Sequence, residues 1–220
     1  MRNIILLGPP GSGKGTQAIE MSKALKIPAL STGDALRAEV KAESEIGKLA
    51  KSYMDSGKLV PDEVVLDIVK NRVTQSDCQN GFILDGFPRN ISQGNMLENA
   101  LNSIDKKIDV VLNFEISNEE VVKRISGRFF CKKCGAIYNK YFKKPLKEGV
   151  CDACGSVEFI NRSDDKEEVI LDRLKIYHEE TAKLIEFYQK KDLIYSFNAV
   201  KSSALLLEEL LEVIKKQGKL

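Results

Sequence analysis

The stretch "NIILLGPPGSGKGTQ", residues 3–17, decides the fold of this chain. It begins with a continuous apolar run, which, unlike an alternating one, suits a strand buried on both faces of a parallel sheet. The rest gathers Gly8, Gly11, Gly13 and Gly15 around Lys14. A glycine-rich loop between a buried strand and a helix turns successive backbone N–H groups toward one anion. The helix N-terminus behind it adds partial positive charge, and the lysine reaches the outer phosphates. Gly11, Ser12, Gly13, Lys14, Gly15 and Thr16 are therefore candidate ligands of a polyphosphate. The stretch departs in one place from the G-x-x-x-x-G-K-[ST] pattern. Gly15 follows the lysine, and the hydroxyl that commonly ligates Mg²⁺ arrives one residue late at Thr16. A metal here must take its order from phosphates, water and a carboxylate elsewhere. Asp85 in "GFILDGFPR" is the candidate, at the end of an apolar run where ligands bind in open α/β sheets. An aspartate at that place also suits a simple loop cap.

Further continuous apolar runs follow: "FIL" (82–84), "VVLNF" (110–114) and "LIYSF" (193–197). Helical patterns lie between them. "SNEEVVKRIS" opens with a capping box, Ser117 and Glu120, and "DDKEEVILDRLKIYHEETAKLIEFYQKK" repeats it with Asp164 and Glu167. In the second, Ile170, Leu174, Tyr177, Leu184 and Tyr188 mark one face of a long helix. Strand–helix alternation from the first residue predicts a doubly wound α/β core with helices on both faces of a parallel sheet. Residues 31–60 and 127–165 break the alternation and read as insertions. The predicted core is thus 1–30, 61–126 and 166–220.

A chain of 220 residues that is 43% hydrophobic can bury a sizeable core. Lys and Arg total 34 against 32 Asp and Glu, which argues against a dedicated nucleic-acid or membrane-surface protein. No run approaches the roughly 18 apolar residues of a membrane span, and "MRNIILLGPPG" is no signal peptide. The expectation is a cytoplasmic protein.

Cysteine usage agrees with that compartment. Cys131/Cys134 and Cys151/Cys154 form two C-x-x-C pairs with 16 residues between them, within the spacing of a zinc site. Four thiolates would close a tetrahedron and make the metal structural, although a reduced loop or a disulfide has the same sequence. Residues 127–150 also carry seven basic residues against Glu148 alone, with Phe129, Phe130, Tyr138, Tyr141 and Phe142 interleaved. That composition suits an alternative from another class, an ATP-dependent nucleic-acid-binding zinc module.

The motifs "GPPGSGKGTQ", "STGDALR" (31–37), "GKLVPDE" (57–63), "GFILDGFPRN" (81–90), "RISGR" (124–128) and "DRLKIYH" (172–178) follow one another as in adenylate kinases, which the chain resembles over essentially its whole length. In that family G-K-G-T is the normal form of the loop. The resemblance implies a five-stranded parallel core with two mobile inserts, a helical one over AMP and a zinc-bearing lid over ATP. It implies reversible transfer of a phosphoryl group from ATP to AMP, giving two ADP, with Mg²⁺ accompanying ATP. It also implies a monomer. Carried over by motif, Thr32, Arg37, Lys58, Leu59, Val60, Gly86, Phe87, Pro88, Arg89 and Gln93 line the AMP site. Arg124, Arg128, Arg162 and Arg173 surround the transferring group, the last two also reaching AMP. Ile137, Tyr138 and Lys201 approach ATP. The chemistry is consistent with this: guanidinium groups neutralise phosphate oxygens bidentately and stay charged. An AMP phosphate is already nucleophilic near neutral pH and needs no general base, so the lone histidine, His178, is not required. Gln93 offers donor and acceptor together, suited to an adenine edge. A kinase for another nucleoside monophosphate would share much of this pattern.

Overall fold

The computed structural model describes residues 2–217. In chain order it begins β1 (Arg2–Leu7), α1 (Lys14–Leu25), β2 (Ala29–Ser31), α2 (Thr32–Lys41), α3 (Glu45–Asp55) and α4 (Asp62–Val73). Next come β3 (Gly81–Asp85), α5 (Ile91–Asn102), β4 (Val110–Glu115) and α6 (Asn118–Ser126). The cysteine region holds β5 (Arg128–Cys131), β6 (Ile137–Asn139) and β7 (Phe159–Ile160). The chain then continues through α7 (Glu167–Ile176), α8 (Lys183–Gln189), β8 (Ile194–Asn198) and α9 (Ser203–Lys216).

Five strands form the parallel sheet, in the order β2-β3-β1-β4-β8. Each apolar run is a strand of this sheet, and alternate residues of a run feed opposite faces. Ile5, Leu7, Phe82, Leu84 and Val111 pack with α4, α5 and α8 on one side. Ile4, Leu6, Ile83, Val110, Leu112 and Phe114 pack with α1 and α9 on the other. The winding reverses around β1, so the loop after β1 and the ends of β3 and β4 open onto one crevice. The short edge strand β2 has no counterpart among the apolar runs. Its three residues, Ala-Leu-Ser, borrow their extended form from pairing with Ile83–Asp85.

Within residues 31–60 lie the helices α2 and α3, capped by Ser31 and Ser44. Residues 128–160 form a separate three-stranded antiparallel sheet, order β6-β5-β7. Its small core is built from Cys131, Tyr138 and Cys151, with Phe129 and Phe159 against them.

Two helix expectations are corrected. Ser117 does cap α6, accepting from the Glu120 amide, and the Glu120 carboxylate turns to Arg124. Asp164 caps nothing. It lies in a 3-10 turn, and its carboxylate is bound by Arg173 at 2.9 Å, a stronger charged partner than a backbone amide. The long helix is also not one regular α-helix, because Tyr177–Thr181 forms a π turn between α7 and α8. Ile170, Leu174, Leu184 and Tyr188 are buried as predicted, while Tyr177 at the π turn is only half-buried.

Candidate active site

The loop after β1 is shaped by glycines in the left-handed region, with φ of 139° at Gly8, 74° at Gly11 and 100° at Gly13. Gly13 precedes α1, and no side chain caps that helix. Its first amides are therefore free to face an anion. Lys14 Nζ folds over the loop, donating to the carbonyls of Gly8 and Pro9, each at 2.8 Å.

Gly15 has a spatial reason. A Cβ there would stand 3.3 Å from Asp85 Oδ2, so the glycine admits the β3 carboxylate to the foot of the loop. Burial raises the Asp85 pKa, against the pull of Lys14. Burial lowers Lys14 to about 8, against the pull of Asp85. The two charges partly compensate each other.

This pair sits in a cavity of about 870 Å³ spanning the crevice, the helical insert and the cysteine sheet. All the site residues expected from sequence except Phe87 and the cysteines line it. Phe87 is 1% exposed and packs into the core, leaving Gly86, Pro88 and Arg89 to face the cavity. Ten cationic side chains line the wall against three carboxylates, Asp34, Asp85 and Asp164, an excess that suits a polyanion.

The arginines sort into two groups. Arg89, Arg128, Arg162 and Arg173 lie close enough, with Arg37, to repel one another. Burial, then Arg173, pulls Arg89 to about 10; burial, then Arg37 and Arg128, does the same to Arg162. Burial also lowers Arg173, against the pull of Asp164. Arg89 and Arg162 stay protonated at neutral pH. Carboxylates hold the group in place: Asp165 pairs with Arg128, Asp164 with Arg173, and Asp34 accepts from both Arg37 and Arg162, the latter at 3.1 Å. Arg89 Nε donates to the Gly86 carbonyl at 2.8 Å. Arg124 stands apart. Its guanidinium joins Glu120, the Ser12 carbonyl of the phosphate loop and the Ala199 carbonyl.

Three other expected residues are already engaged. Gln93 is 2% exposed; its amide donates to Asp62 at 2.7 Å and its oxygen accepts from the Arg89 amide at 2.7 Å. Lys201 pairs with Glu209. Tyr138 lines the cavity with one edge while its hydroxyl donates to Cys151 Sγ at 3.4 Å. His178 is exposed and bonds Asn118 at 3.0 Å. The carboxylates that hold the arginines, Asp34, Asp164 and Asp165, and Asp62, which holds Gln93, were not expected in these roles from the sequence. The only signal for them was proximity in chain to "STGD", "VPDE" and "RSDD".

The four cysteine sulfurs lie within 4.8 Å of one another, with Cys131–Cys154 at 3.6 Å and Cys134–Cys151 at 3.5 Å. Zinc–sulfur bonds of about 2.3 Å in a tetrahedron need sulfurs roughly 3.8 Å apart, so the residues fit a zinc ion. Gly135 and Gly155 make the left-handed turns that fold each pair back on itself. Tyr138 pulls the Cys151 pKa down to about 6, the direction a metal-binding thiolate needs. Of the five aromatics, Tyr141 and Phe142 stay exposed, with Lys123 over both rings, and the other three are packed away. Phe129, Tyr138 and Phe159 pack on one another, and Phe130 is buried beneath Arg162 at 4.3 Å.

Among the described residues no helix is long and apolar enough to cross a membrane. The model of the adenylate kinase family matches residues 6–193. An adenylate kinase of Caldicellulosiruptor bescii is 53% identical over 191 residues, covering 87% of this chain and 88% of that protein. One of Methanosarcina barkeri is 50% identical over 214 residues, covering 97% of this chain and 99% of that protein. One of Archaeoglobus fulgidus is 47% identical over 214 residues, 97% of this chain and 98% of that protein.

Proposed function

The chain belongs to the adenylate kinase family, and from that membership we propose how it moves the terminal phosphoryl group of ATP to AMP, giving two ADP. The observation that carries the reading is the convergence of Lys14, Arg89, Arg128, Arg162 and Arg173 on one cavity around the β1 and β3 ends.

The transferring group passes between two polyanions, so the barrier is set by charge and by stray water rather than by proton abstraction. The N-terminus of α1 and Lys14 hold the donor phosphates. Arg89, Arg128, Arg162 and Arg173 neutralise the equatorial oxygens, pre-oriented by Asp164, Asp165 and the Gly86 carbonyl. Asp34 occupies Arg37 and Arg162 until the AMP phosphate replaces it. Thr32, Lys58–Val60, Gly86 and Pro88 form the AMP side, with Gln93 holding the turn that carries Arg89. Ile137, Tyr138 and Lys201 flank ATP, and Arg124 braces the phosphate loop against the Ala199 turn. Asp85 would hold the water of a Mg²⁺ accompanying ATP, an ordering that the hydroxyl of Thr16, one residue late, does not supply, and the ion when bound would neutralise phosphate charge.

The inserts 31–60 and 127–165 close over this site from opposite sides and exclude water. Their bases already touch, through Arg162 to Asp34 and Ser163 to Asp55 at 3.0 Å. Zinc on Cys131, Cys134, Cys151 and Cys154 would give the lid the rigidity its small core cannot.

A coupled assay of ADP formation from ATP with AMP, UMP, CMP or GMP tests the reading. AMP should be the preferred acceptor. Equal consumption of ATP without any monophosphate, or preference for another one, would overturn it.

A further inference from the structure

Tyr138 occupies an unusual position between the donor side of the cavity and the four-cysteine cluster. It is 2% exposed, and its neighbours Ile137 and Asn139 line the cavity with it. Its ring is fixed by Phe129, stacked at 5.7 Å, and by Phe159, edge-on at 5.6 Å. That leaves the hydroxyl little choice of partner. It donates to Cys151 Sγ at 3.4 Å and accepts from the Asp152 amide at 2.7 Å. The hydroxyl is thus inserted into the second C-x-x-C knuckle, bonded to a ligand sulfur and to the backbone next to it.

The first knuckle is held by backbone bonds alone in its corresponding turn: Gly135 to the Cys131 carbonyl, and Cys131 to the Ala136 carbonyl, each at 2.9 Å. The second has the matching pair, Gly155 to the Cys151 carbonyl and Cys151 to the Ser156 carbonyl, each at 2.8 Å, and Tyr138 in addition. Partners that orient a metal ligand commonly change metal affinity by about 10- to 100-fold when removed. Here the orienting group rides on the strand that faces the nucleotide.

We propose that Tyr138 is a positioning residue for the metal ligand Cys151, through which occupancy of the donor-nucleotide cavity and retention of the metal reinforce each other. The proposal rests on the reading of the cluster as a zinc site. A nucleotide that immobilises residues 137–139 immobilises the ring, and the hydroxyl passes that restraint to Cys151 Sγ and the Asp152 amide. Linkage makes the effect reciprocal: if nucleotide slows loss of zinc by tightening its binding, the zinc-loaded chain binds nucleotide more tightly by the same factor.

The test uses the full-length, zinc-loaded protein. Zinc content is measured first by mass spectrometry, then zinc transfer to a chromophoric chelator is followed with and without a non-hydrolysable ATP analogue. In the wild type the analogue should slow transfer severalfold. Tyr138→Phe keeps the ring and removes the hydroxyl; it should release zinc about tenfold faster and lose most of the analogue's protection. A second readout is analogue affinity by calorimetry, which should differ between loaded and stripped wild type and much less between loaded and stripped Tyr138→Phe. Wild-type release kinetics in Tyr138→Phe would overturn the proposal, as would faster release with protection intact. Protein purified without bound zinc and unable to take it up would overturn the metal reading itself, a result distinct from either.

Discussion

Binding of ATP at alkaline pH should draw a proton onto Lys14. Burial lowers this ammonium from 10.5 to about 8, even with Asp85 beside it. At about pH 8.5 some three-quarters of the free protein then carries neutral Lys14, and at about pH 7 roughly a tenth does. A docked polyphosphate favours the charged form, so Lys14 should take up about 0.75 proton at the higher pH and about 0.1 at the lower. ATP itself is fully ionised at the higher pH and contributes no proton of its own. Calorimetric titrations in buffers of different ionisation enthalpy measure the uptake directly. Lys14→Arg, which stays charged, should abolish it. No uptake at the higher pH, or uptake that persists in Lys14→Arg, would refute the placement of a desolvated Lys14 against the donor phosphates. The same shift has a stability consequence. Between about 8 and 10.5 the unfolded chain binds more protons at this residue than the folded one, so the Lys14 contribution to stability rises with pH across that window. Lys14→Met should remove that rise, seen in urea midpoints measured against pH.

Two further outcomes follow from the geometry. Gly15→Ala puts a methyl 3.3 Å from Asp85 Oδ2; displacing that carboxylate by a few tenths of an ångström should lower kcat about tenfold with melting nearly unchanged, and unaltered turnover would contradict the role given to Asp85. Cys151→Ser should lose zinc and melt earlier by about 5 °C or more, while still making two ADP from ATP and AMP; a zinc-free variant that melts with the wild type would show that the metal does not support the lid.

Much of this molecule could be read from its sequence because its core is buried on both faces. Runs such as "IILL" and "VVLNF" have no reason to be continuously apolar outside a covered sheet, and each is a strand. The edge strand Ala29–Ser31 is half-covered, too short for a run, and extended only because β3 pairs with it. Glycine loops and paired cysteines are local devices, so "GPPGSGKGTQ" and the C-x-x-C pairs could be interpreted without tertiary knowledge. Side-chain partners set by long-range folding could not. Asp164 has the spacing of a cap, but Arg173, brought alongside by α7, takes its carboxylate. Arg124 looks in sequence like the other arginines, and only the meeting of α6 with the Ser12 and Ala199 carbonyls separates it from them. Gln93 suggested a base reader, whereas Asp62, 31 residues earlier, claims its amide. The π turn at Tyr177–Thr181 leaves no trace in the apolar spacing on either side of it.

The central claim is that phosphoryl transfer here is carried by preorganised positive charge without a general base. Arg89 sits at the middle of that charge, half-buried, held by Gly86 and near Asp85 and Arg173. The most direct test is the rate of ADP formation by Arg89→Ala at saturating ATP and AMP, with melting recorded alongside. Loss of one such donor from a desolvated site predicts a fall in kcat of about 10²- to 10³-fold with the fold intact. Near-normal turnover in a fully folded variant would contradict the account.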